Sequence, residues 1–337
     1  MSSRCGVLAG GNWVIDHVKV IDAWPAQDAL ARIIDQSDGN GGGPYNLLKN
    51  LAKMLCGFPL AGVGLVGRDA DGARILRDCD AHEIDRRGFH QTAEAPTSYS
   101  DVMTTGDTGR RTFFHCLGTN ALLGREHFNL SASSARIFYL GYLGLLSRLD
   151  AVRADGGTEA AQLFTQAGEM GLITAADLVS SQCGDFAAAI NLSLPHLDYL
   201  LLNEYELARL VGSVAPAKDV NSLMVHACRV LACGVRRAVV VHLPEFALWV
   251  GPERSAVVQP SVRMSQEMIQ GAVGAGDAFA AGLVYGIHQG WLPQDCLELG
   301  VCVAAASLRD VTSSAAVEPW ETCLALGRKL GFNAPPL

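Results

Sequence analysis

Short apolar or β-branched runs alternate along the chain with longer stretches of helical period. The runs are VIDHVKVI (14–21), LAGVGLV (60–66), ARIFYLGYL (135–143), GLITAADLV (171–179), LDYLLL (197–202) and RRAVVVHL (236–243). Segments such as 45–56, 158–170 and 219–233 separate them, with apolar residues recurring every three or four positions. This alternation predicts an α/β body: a central, mostly parallel sheet covered by helices on both faces. In 45–56, Leu47, Leu48, Leu51, Ala52 and Leu55 share one face while Lys49, Asn50 and Lys53 share the other, which predicts an amphipathic surface helix.

Two regions break the rhythm. Residues 16–44 pair an alternating HVKVIDAW with a turn-rich QSDGNGGGP, and residues 96–118 place two extended runs around a TGDTGRR turn. Both read as hairpins, predicting a small β-flap added to a single domain that spans 1–337. No internal repeat or low-complexity tract interrupts the pattern, and the last residues, FNAPPL, read as a frayed tail.

Composition narrows the functional classes. A chain of 337 residues with net charge −8 and five scattered lysines (Lys19 to Lys329) carries no basic patch for nucleic acid. Its ten cysteines show no C-x-x-C pair, which predicts reduced thiols and a cytoplasmic setting. No segment approaches the roughly 20 apolar residues that cross a bilayer. GVGLVG at 62–67 fits G-x-G-x-x-G, but RDADG follows it and reads as a turn where a dinucleotide site needs a helix. His82, His90 and His115 lack ligand spacing, and neither H-E-x-x-H nor G-x-S-x-G occurs.

The chemistry concentrates in GAVGAGDAFAAGLVYGI, 271–287. Glycines before a helix let backbone approach an anion, and the helix start offers unpaired N–H groups. Gly274, Ala275 and Gly276 have that character, and the apolar run after them predicts a buried helix whose amino end opens onto a site. Asp277 in its first turn has two readings. It is either an ordinary helix-start acid, stabilising by about 0.3–1 kcal/mol, or a proton acceptor beside the bound anion.

GAVGAGDAFAAGL resembles the carboxy-terminal signature of the ribokinase-like (PfkB) carbohydrate kinases, which include ribokinase, fructokinase and adenosine kinase. Further matches follow in family order: GNWVID at 11–16, GGGPYN at 41–46, GLVGRDADG at 64–72, GRRTF at 109–113, GTNALL at 118–123, LVSSQ after Asp177, and NEYE at 203–206. The resemblance implies a three-layer α/β/α fold whose small β-sheet lid is the predicted flap. It also implies an ATP- and Mg²⁺-dependent kinase acting on a hydroxyl of a sugar or sugar-like molecule. Asp277 then matches the general base, and Gly274–Gly276 match the backbone that holds charge on the transferred phosphoryl group.

Asn203 and Glu206 match the family's N-x-x-E motif, which orders Mg²⁺ largely through water. The same residues also fit a capping box worth about 0.5–2 kcal/mol at the start of EYELARLVG, and both readings can hold together. For the sugar, the resemblance implies Asp16, Gly42, Gly43 and Asn46, a carboxylate and an amide suited to a polyol. Asp22, further along the flap, reads as a solvated hairpin residue. Arg110 or Arg111, beside the flap turn, could neutralise an anion over the site, Arg110 being the residue assigned. His242 falls on the nucleotide side, together with Gly274 and Gly276.

Three departures from the family pattern stand out. Gly271 and Ala272 replace Asp-Thr, so a side-chain ligand of the monovalent-cation site is missing and cation activation is not expected. Pro244 stands where a Thr-or-Lys-x-Gly turn is usual, changing the nucleotide contacts. Leu48 replaces a small residue. A nucleoside kinase, or a sugar-binding protein impaired in transfer, are the alternative readings. Trp24, Phe113 and Phe114 on the flap would suit a homodimer interface.

Overall fold

A computed structural model describes residues 4–106, 110–180, 186–252 and 255–334. The chain opens with β1 (Val7–Gly11), followed by β2 (Val14–Ile21) and β3 (Ile33–Gly41), then helix α1 (Gly43–Lys53), β4 (Leu60–Gly67), α2 (Ala70–Ala81) and β5 (Asp85–Thr92). Strands β6 (Tyr99–Thr105) and β7 (Arg111–Cys116) precede β8 (Ile137–Leu143), the single turn α3 (Ser147–Asp150), α4 (Glu159–Glu169) and β9 (Ile173–Leu178). Next come α5 (Phe186–Ser193), β10 (Tyr199–Asn203), α6 (Glu204–Leu210), α7 (Val220–Ala232), β11 (Ala238–His242), β12 (Phe246–Val250) and β13 (Ala256–Pro260). Helices α8 (Ala275–Gln289), α9 (Pro293–Ser307) and α10 (Trp320–Leu330) complete the fold.

Nine strands form one sheet in the order β13-β12-β11-β10-β9-β8-β1-β4-β5, parallel except where β12 pairs antiparallel with β11 and β13. The two-residue period divides the core. Tyr199, Leu201 and Val240 join the apolar cluster of α1, α8 and α9, while Leu200, Leu202, Val239 and Val241 join that of α4 and α7. The sheet is thus buried on both faces, as its continuous apolar runs require. Two of the predicted helices start on capping side chains: Thr158 accepts from the Ala161 N–H at 3.1 Å and Asp219 from the Ser222 N–H at 2.8 Å.

The other four strands form a separate sheet in the order β3-β2-β6-β7. VIDHVKVI therefore belongs to this small sheet and not to the body, whose first strand, the glycine-rich VLAGG, carries too few branched residues to announce itself. QSDGNG is also strand rather than turn: Gln36–Gly41 pair with Lys19–Val14, their polar side chains facing solvent along most of β3. Between the paired β6 and β7, the predicted turn residues 107–109 lie outside the described residues, as do residues 181–182 of LVSSQ and the last three of the tail.

Two further expectations are corrected. Helix α1 is not a surface helix on one side only, since Asn50 of its polar face is wholly buried together with Leu47, Leu48 and Leu51. A helix does open soon after GVGLVG, at Ala70, with Asp69 as its cap. The dinucleotide reading fails for another reason: Gly62 and Gly64 lie inside β4, where an added Cβ would come within 2.9 and 2.5 Å of the Trp13 indole. Those glycines make room for a core side chain rather than a phosphate.

Helix α8 is buried from Asp277 to His288, and small residues let α9 lie against its backbone. A Cβ at Gly282 would meet the Gly300 Cα and Leu299 carbonyl oxygen at 2.9 Å, both of them main-chain atoms. Gly282→Ala should therefore force the helices apart and destabilise the fold by about 1–3 kcal/mol. Urea unfolding followed by circular dichroism checks this, the expected result being a lower midpoint at an unchanged slope.

Candidate active site

The carboxyl ends of β1, β8, β9, β10 and β11 converge where α8 begins, the usual position of ligand sites in open α/β sheets. Gly274 caps α8 in the left-handed conformation, with φ 73°, and a Cβ there would lie 2.4 Å from the Ser313 Cβ. Both facts demand glycine. Val273, Gly274, Ala275 and Gly276 are part-exposed and Ala272 is exposed, so the first-turn amides of a buried helix open onto solvent. Such a helix start has the geometry and the dipole to take an anion.

Asp277 lies in the first turn with its carboxylate directed at α1 and the end of β8. Asn46 Nδ2 donates to its Oδ2 at 2.7 Å, and the Tyr142 hydroxyl lies 2.7 and 2.9 Å from its two oxygens. Burial pushes the Asp277 carboxyl up to about 6, against the two hydrogen bonds. Asn46 comes from α1, which starts at Gly42: its φ is 87°, and a Cβ there would collide with the Asn12 carbonyl oxygen at 2.0 Å. Gly43 follows, with the Tyr139 hydroxyl and the Tyr142 ring 3.1 Å from where a Cβ would lie. Asn40 donates to Asn46 Oδ1 at 2.5 Å and to the Ser314 hydroxyl at 3.0 Å, which fixes the amide's orientation.

Asp16, on β2, is buried, and burial raises its carboxyl to about 7, with Ser100 across the sheet opposing and the Asp277 charge adding to the rise. The Asp16 carboxylate, Asn46, Asp277 and the helix start are thus brought together as the sequence predicts. Of the two flap arginines, Arg111 reaches the site. Its Nη2 lies 3.5 Å from the Val311 carbonyl oxygen and 3.1 Å from where a Gly271 Cβ would be, and its charge acts on Asp16. Arg110 is exposed, its carbonyl oxygen accepting from the Thr105 amide at 3.0 Å. Asp22 pairs with Arg32 at 3.0 Å away from these groups.

The residues assigned to the nucleotide and metal lie along the adjoining strand ends. Asn203 and His242 are register partners on β10 and β11. Asn203 Oδ1 accepts from the Tyr205 and Glu206 amides at 2.9 Å, while Glu206 Oε2 accepts from the Asn203 amide at 2.8 Å. This is the capping box in full. Glu206 Oε1 also accepts from Ser180 and the Asn203 side chain, each at 2.9 Å. Burial, with Glu204 nearby, raises the Glu206 carboxyl to about 7, and Asp177 is raised by burial and by the charges of Glu206 and Asp277. His242 packs under Gly276, its Cε1 3.0 Å from where a Cβ would be, and desolvation lowers its pKa to about 4. It is neutral at physiological pH.

Tyr142, Asn40, Ser313 and Asp177 escaped assignment as site residues in the sequence reading. Tyr142 lies next to the end of a strand otherwise read as core, and no local pattern signals that its hydroxyl points at a residue 135 positions away.

A family model for pfkB family carbohydrate kinases matches residues 10–321, and the chain belongs to that family. Solved structures agree on the fold. Ribokinase from Arabidopsis thaliana, complexed with ribose and ATP, is 20% identical over 98% of this chain and 100% of its own, with a TM-score of 0.78. Ribokinase from Thermotoga maritima is 18% identical over 96% and 99%, with a TM-score of 0.77. A nucleoside kinase from Methanocaldococcus jannaschii is 14% identical over 96% and 98%, with a TM-score of 0.74.

Because Tyr142 donates to the ionised Asp277, its removal should raise the pKa of that acid further. In Tyr142→Phe, the carboxyl ¹³C resonance of Asp277, assigned by its loss in Asp277→Asn, should titrate at higher pH than in the wild type. An unmoved midpoint would show that the phenol does not stabilise the charge.

Proposed function

We propose that the chain transfers the γ-phosphoryl group of ATP to a hydroxyl of a sugar or sugar-like molecule, with Asp277 as general base. The observation that carries this reading is a desolvated carboxylate beside an open helix start, held by an amide and a phenol and facing a second buried acid. Asp16 and Asn46 would orient the polyol. Asp277 takes the proton of the attacking hydroxyl, whose oxygen bonds to the γ-phosphorus as the bond to the ADP oxygen breaks. Amides of Gly274–Gly276 hold the charge on the transferred group, which is mostly a matter of position and electrostatics.

Mg²⁺ fits the neighbouring acids in one respect: Asp177 is buried and its carboxyl is raised by the charge of Glu206, a surplus of negative charge that a dication would offset. Glu206, Asn203 and Asp177 are the groups that would hold it, through water where Glu206 already caps α6, and the ion would neutralise phosphate charge. His242 and the turn at Pro244 would border the nucleotide. The position of a cation-binding side chain at 271 is closed, since a Cβ there would lie 2.9 Å from the Asp310 carbonyl oxygen.

The test is ADP release from ATP and Mg²⁺ across a panel of pentoses, hexoses and ribonucleosides. One sugar should drive turnover that Asp277→Asn lowers by about 10²–10⁴-fold with affinity near normal. An unchanged rate would reject the assigned base, and stimulation by a ribonucleoside alone would favour the nucleoside-kinase reading. The wild-type rate should fall as pH drops below about 6, where Asp277 keeps its proton. Turnover in potassium and in tetramethylammonium buffers should be equal; a marked potassium requirement would refute the closed site.

A further inference from the structure

Sharing only Asn40 with the candidate active site, a cleft of about 570 Å³ lies between α1, α2, the end of β3 and the 312–315 segment. It is lined by Lys49, Lys53, Arg74 and Arg77 against two carboxylates, Asp38 and Asp78. Four cations therefore share one depression with two anions, on a chain whose net charge is −8. Both acids are already engaged. Asp78 Oδ2 accepts from Lys49 at 2.7 Å and Tyr45 at 2.6 Å, and Asp38 accepts from Arg74 at 2.6 Å while pairing with His17 at 2.8 Å.

Lys53 and Arg77 are left over. Among the described residues, no carboxylate lies within ion-pair distance of either, and the Lys53 ammonium donates only to the Ala315 carbonyl oxygen at 2.5 Å. Burial and the Lys49 charge one helical turn away disfavour that ammonium, more than the charges of Asp310 and Glu318 favour it. Lys53 is part-buried and Arg77 exposed, and among the described residues neither charge is matched by a contacting carboxylate. A guanidinium and an ammonium across a concave surface match a phosphate group in charge and hydrogen-bond donors.

We propose that this cleft is a second ligand site, which takes a phosphate group, free or as a phosphate monoester, between Lys53 and Arg77. The site rests on its own geometry and stands whether or not the chain is a sugar kinase.

Titration calorimetry of the full-length protein with inorganic phosphate, at ionic strength held constant with chloride, tests it. Wild-type protein should bind saturably, and Lys53→Ala/Arg77→Ala should bind at least tenfold more weakly, whereas Arg263→Ala, at the far end of the sheet, should match the wild type. Arg77→Gln alone, which strands no carboxylate, serves if the double variant unfolds by circular dichroism. Because the amino end of α8 also attracts anions, crystals soaked in tungstate locate the ion: anomalous density between residues 53 and 77 is expected. Density only at residues 274–276, or equal affinity in wild type and variants, would overturn the proposal. Tighter binding of ribose 5-phosphate than of phosphate would identify a monoester as the ligand, and equal binding would identify the free ion.

Discussion

Everything at the mouth of the sheet depends on holding one carboxylate out of water without letting it keep its proton at neutral pH. Burial alone drives Asp277 toward the neutral acid, and the amide of Asn46 and the phenol of Tyr142 draw it back. The balance leaves its pKa about one unit below neutrality, where a base is largely ionised yet still basic enough to accept a proton. A fully solvated aspartate would be a weaker base, and one buried without donors would stay protonated.

That balance explains the surrounding construction. Asn46 can aim its donor at Asp277 only because its carbonyl oxygen is occupied by Asn40 and Ser313. Ser313 in turn abuts Gly274, which has no side chain to push it away. Helix start, glycine-rich turn and the 308–316 connection therefore form one hydrogen-bonded unit drawn from three distant parts of the chain. Asp16 and Glu206 are raised as well, so folded protein retains protons that unfolded chain would release between the ordinary carboxylate range and about pH 7, and Asp177 is raised in the same direction. Their contribution to stability is greatest in acid and declines as pH rises through that window. A site rich in buried acids is bound with a stability penalty at neutral pH, which suits ligands that bring positive charge or donors.

Much of this was legible in the sequence because it was local. The G-A-G-D run exposes its glycines, its acid and its apolar helix in one stretch, and Thr158 and Asp219 mark helix starts to the residue. What sequence hid was either non-local or chemically bland. The polar strand Gln36–Gly41 looks like a turn because neither of its faces is core, and its pairing with β2 supplies the structure that its side chains do not announce. VLAGG hides a central strand because its glycines face Phe128 and the Gly141 carbonyl oxygen, contacts that no periodicity records. Tyr142 acts across the sheet, and Arg111 reaches the 308–316 connection from the first position of β7, a long-range contact that no local pattern records.

The close approach of α8 to α9 has a dynamic corollary. With the Gly282 and Gly300 backbones in near contact, α8 cannot roll or slide without main-chain collision, and it should be among the slowest segments to exchange its amide hydrogens. The four-stranded sheet, much of whose β3 is solvated, lacks such a restraint along that strand. The body that carries Asp277 is held backbone against backbone, whereas the smaller layer presents a largely solvated strand.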